Sequence, residues 1–219
     1  MTSDGLFIFI LTARFMEVAL AVAFLSGVVR FRRLTPELRY LAVFLGFDVA
    51  TEVVSTWLGY LHRPNLFLFP IFAAVEVWFL ALVYDRALRW PAFSRWRPWL
   101  AGAFVAYCAL DSLLAPEMAR FKPALLLIES VLVLILVGLY FRKLLRELRV
   151  TRLDQEPMFW VSVGIVINFL GNIQIHLFSN YLLTHYSKQL SLYAWAAHSL
   201  LNVVLYACYC TALWIPPRK

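Results

Sequence analysis

Seven apolar runs, each about as long as a bilayer is thick, leave this chain few ways to fold. They fall at about Gly5–Val29, Glu37–Leu61, Leu66–Leu88, Pro98–Ala115, Pro123–Phe141, Pro157–Phe178 and Leu190–Ile215. A helix needs about 20 apolar residues to cross the hydrocarbon core. In that core every backbone polar group must be satisfied internally, so runs of this length become helices. The expected fold is all-α: an integral membrane bundle of seven transmembrane helices, with residues 1–219 forming a single domain. Pro98, Pro123 and Pro157 sit where a first helical turn tolerates proline, and Pro216–Pro217 ends the last run. The connections are short, which favours antiparallel neighbours in one bundle.

Composition supports the same class. The chain is 63% hydrophobic and only 15% charged, against roughly 25% charged for a soluble domain. The N-terminal MTSDG carries an acidic residue and no basic stretch, unlike a cleaved signal peptide, so the first run is expected to be retained. Cys108, Cys208 and Cys210 form neither a disulfide framework nor a CxxC metal pattern and are expected to pack as small apolar residues.

The net charge of +7 does not point to nucleic acid, because the basic residues are confined to short connections. One side holds Arg30, Arg32, Arg33 and Arg39, then Arg86, Arg89, Arg95 and Arg97, then Arg142, Lys143, Arg146, Arg149 and Arg152, then Arg218 and Lys219. The other holds Arg63, Arg120, Lys122 and Lys188. Loops rich in Lys and Arg stay in the cytoplasm. The N-terminus is therefore expected outside and the C-terminus in the cytoplasm, with the protein multi-pass in the cell (inner) membrane. The basic segment Phe141–Pro157 continues the fifth helix past the membrane. Its Arg142, Lys143, Arg146 and Arg149 are candidate docking residues for a cytoplasmic signalling partner or anionic head groups, each worth about 1 kcal/mol near such a surface.

Polar residues inside the runs carry most of the functional information, since a charge at the bilayer centre costs at least about 2.5 kcal/mol. Arg14 and Glu17 are spaced i,i+3 and can neutralise one another. Asp48 and Glu52 are spaced i,i+4 on one face, where two like charges oppose full ionisation. Glu76, Asp111 and Glu129 lie in runs three, four and five. Run six carries the ladder Asn168–Asn172–His176, and run seven carries His198–Asn202–Tyr206. Four-residue steps put each ladder on one helix face. If helices six and seven pack together, the ladders can hydrogen-bond to each other. Glu17, Glu52, Glu76, Asn168 and Asn202 fall near mid-membrane. Asp111, Glu129, Asn172, His176 and His198 fall in the outer half, and Asp48 lies toward the inner half. The expected site is an acid-rich, outward-facing cavity built from Glu17, Glu52, Glu76, Glu129, Asn168, Asn172, His176, His198 and Asn202, which would hold a small ligand or protons.

Several chemistries can be weighed against these residues. Seven helices with an outside N-terminus are shared with rhodopsins and G-protein-coupled receptors, but only as topology. A retinal Schiff base needs a lysine in the middle of the last helix. Here Lys188 precedes that helix and Lys219 follows it, so retinal is rejected and no cofactor is expected. DRY and NPxxY motifs are absent. An intramembrane zinc hydrolase would need about three ligands, such as His176, His198 and one of Glu52, Glu76 or Asp111. The HxxxH pair of ceramidase and adiponectin-receptor hydrolases is replaced by His198-x-x-x-Asn202. No internal repeat divides the seven runs into equal halves, which argues against an inverted-repeat transporter. The favoured expectation is a receptor-like or sensory membrane component. A small ion channel or proton-coupled transporter is the alternative, and a metal-dependent hydrolase ranks third. Expected partners are the lipid bilayer, a cytoplasmic signalling protein and, for a homo-oligomer, a second copy of the chain.

Overall fold

A computed structural model describes residues 2–114, 123–147, 153–185 and 188–216. It contains seven α-helices: α1 Thr2–Arg30, α2 Pro36–Tyr60, α3 Leu68–Leu88, α4 Pro91–Leu114, α5 Pro123–Glu147, α6 Pro157–His185 and α7 Lys188–Trp214. The expected all-α fold is observed. Six of the helices, all but α4, are long and apolar enough to cross a membrane, so the protein is an integral membrane protein. Its outer surface is correspondingly greasy, with Phe7, Val18, Leu25, Val53, Leu110 and Ile135 all exposed.

Helix α4 departs from expectation. It begins at Pro91, about two turns ahead of Pro98, which therefore lies inside the helix and not in its first turn. The extra turns are stabilised by ties to α3. Arg97 Nη1 lies 2.8 Å from Asp85 Oδ2, and the Ser94 hydroxyl donates to the same carboxylate. The polar N-terminal half of α4 explains why it does not qualify by composition. Its direction follows from its neighbours. Tyr84 of α3 meets Tyr140 of α5, and Lys143 Nζ donates to the Ala87 and Leu88 carbonyls at 2.9 Å. Helices α3 and α5 are therefore parallel, and α4 runs back along α3.

The same logic orders the whole bundle. Arg30 at the end of α1 donates to the Leu213 carbonyl at 3.0 Å and to the Trp214 carbonyl at the end of α7. A Cβ on Gly5 at the start of α1 would touch Gln189 at the start of α7. Helices α1 and α7 are thus parallel along their length, which needs an odd number of helices. Neighbouring helices close a ring in the order α1, α2, α3, α5, α6, α7, with α4 packed outside on α3. Among the described residues the arginines of the α1–α2 and α3–α4 connections, together with Arg142, Lys143 and Arg146 of α5, gather at one end, called here the basic end. Arg63 and Lys188 lie at the far end.

The basic half of the ring is packed solid. Leu41, Leu45, Leu80, Val83, Tyr84, Leu136, Val161, Ile165, Tyr209 and Leu213 are all essentially inaccessible. Small residues bring α6 against α7. A Cβ on Gly164 would lie 2.7 Å from Cys208 Cβ, and one on Gly171 would lie 2.6 Å from Leu201 Cδ1. Close approach through small residues is a common way for membrane helices to associate. Gly138 on α5 has nothing within 4 Å of its would-be Cβ.

Gly164→Ala should therefore lower stability by about 2 kcal/mol through overpacking. Gly138→Ala should raise it by roughly 0.5 kcal/mol, because alanine is the better helix former. Thermal unfolding of the two variants in detergent checks this contrast in sign.

Candidate functional site

Above the packed half, the six ring helices separate around a cavity of about 200 Å³. Every ring helix contributes to its wall, and α4 does not. Helix α2 supplies Asp48, Thr51, Glu52 and Ser55, α3 supplies Phe72 and Glu76, and α5 supplies Glu129 and Ser130. The opposite wall is Asn168 and Asn172 from α6 with His198, Asn202 and Tyr206 from α7. At roughly 30 Å³ per water molecule, the space equals about six or seven waters. No Lys or Arg lines it.

The amide wall is a closed hydrogen-bond ring. His198 Nδ1 lies 2.8 Å from Asn172 Oδ1. Asn172 Nδ2 donates to Asn168 Oδ1 at 3.1 Å, and Asn168 Nδ2 donates to Asn202 Oδ1 at 3.0 Å. Asn202 Nδ2 then lies 3.1 Å from His198 Nε2. An amide oxygen can only accept and an amide nitrogen can only donate. With the amides oriented in this way, His198 donates from Nδ1 and accepts at Nε2. All four bonds then run in one direction around the ring. Asn202 Nδ2 also donates to the His198 carbonyl at 3.1 Å, which commits its second proton. The Trp195 and His198 rings meet in a T-shaped contact with centroids 5.6 Å apart.

The carboxyl wall is less satisfied. The Tyr206 hydroxyl donates to Asp48 Oδ2 at 2.8 Å, tying α7 to α2. Glu76 and Glu129 lie together on this wall. Both are buried, and Oε1 of Glu129 has no hydrogen-bond partner among the described residues. Glu52 is half-buried and has no hydrogen-bond or ion-pair partner among them.

Seven of the nine residues expected to build the site, Glu52, Glu76, Glu129, Asn168, Asn172, His198 and Asn202, lie together on this cavity. Glu17 does not. It forms an ion pair with Arg14 at 2.7 Å and faces a groove between α1 and α2. The His176 side chain lies outside the described residues. Asp48 and Tyr206, together with Thr51, Ser55 and Ser130, are additional wall residues. The four-residue step from Asp48 to Glu52, and the place of Tyr206 at the end of its ladder, were the available signals. Asp111 sits on α4, away from the cavity. Among the described residues no group of three His, Cys, Asp or Glu side chains is placed to hold a metal ion.

At the basic end, Arg142 and Arg146 are exposed, as docking residues would need to be. Lys143 is not free for that purpose, because it caps the C-terminal carbonyls of α3. Arg149 lies outside the described residues. No family model, curated protein or solved structure matches the chain. The fold and the cavity thus define a class only: a helical integral membrane protein with a polar, acid-walled chamber inside its bundle.

Asn168→Leu should open the ring and leave Asn172 and Asn202 each short of a partner. A loss of about 1–2 kcal/mol in stability is expected from two membrane hydrogen bonds. Nitrogen-15 spectra of histidine-labelled protein should show one neutral Nδ1–H imidazole that disappears in His198→Gln and loses its tautomer preference in Asn172→Ala.

Proposed function

We propose that this protein is a receptor-like membrane component whose cavity holds a small organic cation. One observation carries the reading: the chamber is lined by carboxyl groups with no Lys or Arg among them, and it ends on a packed apolar floor. Asp48, Glu52, Glu76 and Glu129 offer negative charge or hydrogen-bond acceptors, and Phe44, Phe69 and Phe72 offer aromatic faces. The amide ring is a stiff opposite wall that orients what binds. A chamber sealed beneath suits capture of a ligand from one side better than open conduction. On the distribution of basic residues, the far end faces outward.

The Asp48–Tyr206 bond offers a means of response. A cation at Asp48 competes with the tyrosine hydroxyl for the carboxylate and so favours a state in which α2 and α7 are untied. A ligand shifts such an equilibrium by its differential affinity for the two states. Tyr206 packs on Tyr209, which is buried in the solid half toward the basic end. A cytoplasmic partner at Arg142 and Arg146 would receive the change.

A second reading, a proton-coupled transporter, is favoured by one feature. Glu76 and Glu129 are both buried at the cavity wall, where ionisable groups in membrane proteins commonly relay protons.

Ethylammonium should bind the purified protein saturably in calorimetry. Glu129→Gln and Glu76→Gln should each weaken it on the order of tenfold. Absence of binding overturns the cation reading. In liposomes loaded with a pH dye, protein-dependent proton flux that Glu76→Gln abolishes would favour the transporter.

A further inference from the structure

A larger space lies outside the ring, between α1 and α2. These helices touch near the basic end, where a Cβ on Gly27 would lie 3.0 Å from Ala42 Cβ and one on Gly46 3.1 Å from the Phe24 ring. Toward the far end they part around a groove of about 620 Å³. Its walls are mainly apolar, including Leu20 and Ala21 of α1 and Val49, Val53 and Trp57 of α2. That volume lies within the range of ligand sites, roughly 300–1,000 Å³. The groove faces the surface that the bilayer covers, so its occupant comes from the membrane and not from water.

Two carboxylates stand in it. Glu17 is neutralised by Arg14 at 2.7 Å. Glu52 is not paired with any described residue, and it lines both the groove and the inner cavity. It is therefore where the two spaces meet. Asp48 lies one turn further along the same face of α2, and Glu129 is buried in the cavity with one oxygen lacking a hydrogen-bond partner among the described residues. No Lys or Arg lines either space. Carboxyl groups stand along both spaces, and apolar wall gives way to polar wall along a single path.

We infer that the α1–α2 groove is a lateral entry and binding site for a single-chain amphiphile bearing an ammonium head group. Its tail lies against Val49, Val53, Ala21 and Trp57, and its head group passes Glu52 into the chamber beside Asp48. This inference rests on the cation reading of the cavity, and adds to it both the ligand's tail and the side from which it enters. An anionic amphiphile of the same length is rejected by Glu52 and the carboxyls behind it.

Photolabelling of the full chain in phosphatidylcholine nanodiscs tests this. The probe is a long-chain alkylammonium with a diazirine in its tail, compared with the alkyl sulfate of the same chain. The alkylammonium should label α1 and α2 groove residues on the order of tenfold more strongly than the sulfate, and Glu52→Gln should remove most of that preference. Val53→Trp and Ala21→Trp fill the groove from exposed positions that the fold does not need. Each should abolish labelling while ethylammonium binding to the cavity persists. Equal labelling by both probes would mean annular lipid only and would overturn the inference. So would a disulfide between copies carrying Val53→Cys, since the groove would then be an interface between subunits. Ethylammonium binding without selective labelling overturns the lateral site and leaves the cavity reading standing. Failure of both probes overturns both.

Discussion

The close approach of α6 to α7 is the constraint on which the site depends. Gly164 and Gly171 remove the side chains that would hold the helices apart, and Cys208 and Leu201 occupy the space. Only at that separation can Asn168 and Asn172 reach Asn202 and His198. The resulting ring satisfies four strongly polar side chains with one another, in a region where lipid offers them nothing. A polar wall that makes its own hydrogen bonds is stiff. It can border a cavity without collapsing into it.

The other wall follows the opposite rule. Among the described residues its carboxyl groups are only partly satisfied: Tyr206 bonds Asp48, and Oε1 of Glu129 has no partner. Buried groups left short of partners are costly, and membrane proteins tend to keep them where they are used. The molecule is thus divided along its axis. Its basic half is a close-packed apolar plug that gives stability, and its far half gathers the polar side chains of six helices around a small space. Placing α4 outside the ring lets six helices close around that space, while the Asp85–Arg97 pair and the Lys143 cap tie α4 and α5 to the end of α3.

Much of this was legible in the chain. Hydrophobic runs of bilayer length announce helices because the hydrocarbon core admits little else, and the fold class followed from that. The ladders on α6 and α7 were visible because helical geometry puts i and i+4 on one face. Other features were not visible. The Arg14–Glu17 pair could be read from its i,i+3 spacing, but not that Glu17 lies only on the outer groove while Glu52 also borders the cavity. The rotation of each helix about its own axis decides that, and spacing within one helix cannot supply it. Pro98 suggested a helix start. The helix begins at Pro91 because Ser94 and Arg97 bond to Asp85, a residue on a different helix.

The sequence by itself determined that this is a membrane-embedded helical protein with polar faces on its helices, because the bilayer penalises every alternative. Which helices adjoin, which carboxyl groups meet and where the empty space lies were decided by tertiary packing. Those depend on contacts between residues far apart in the chain, such as Asp48 with Tyr206 and Arg30 with Leu213. Their free energy exists only once all the helices have been brought together.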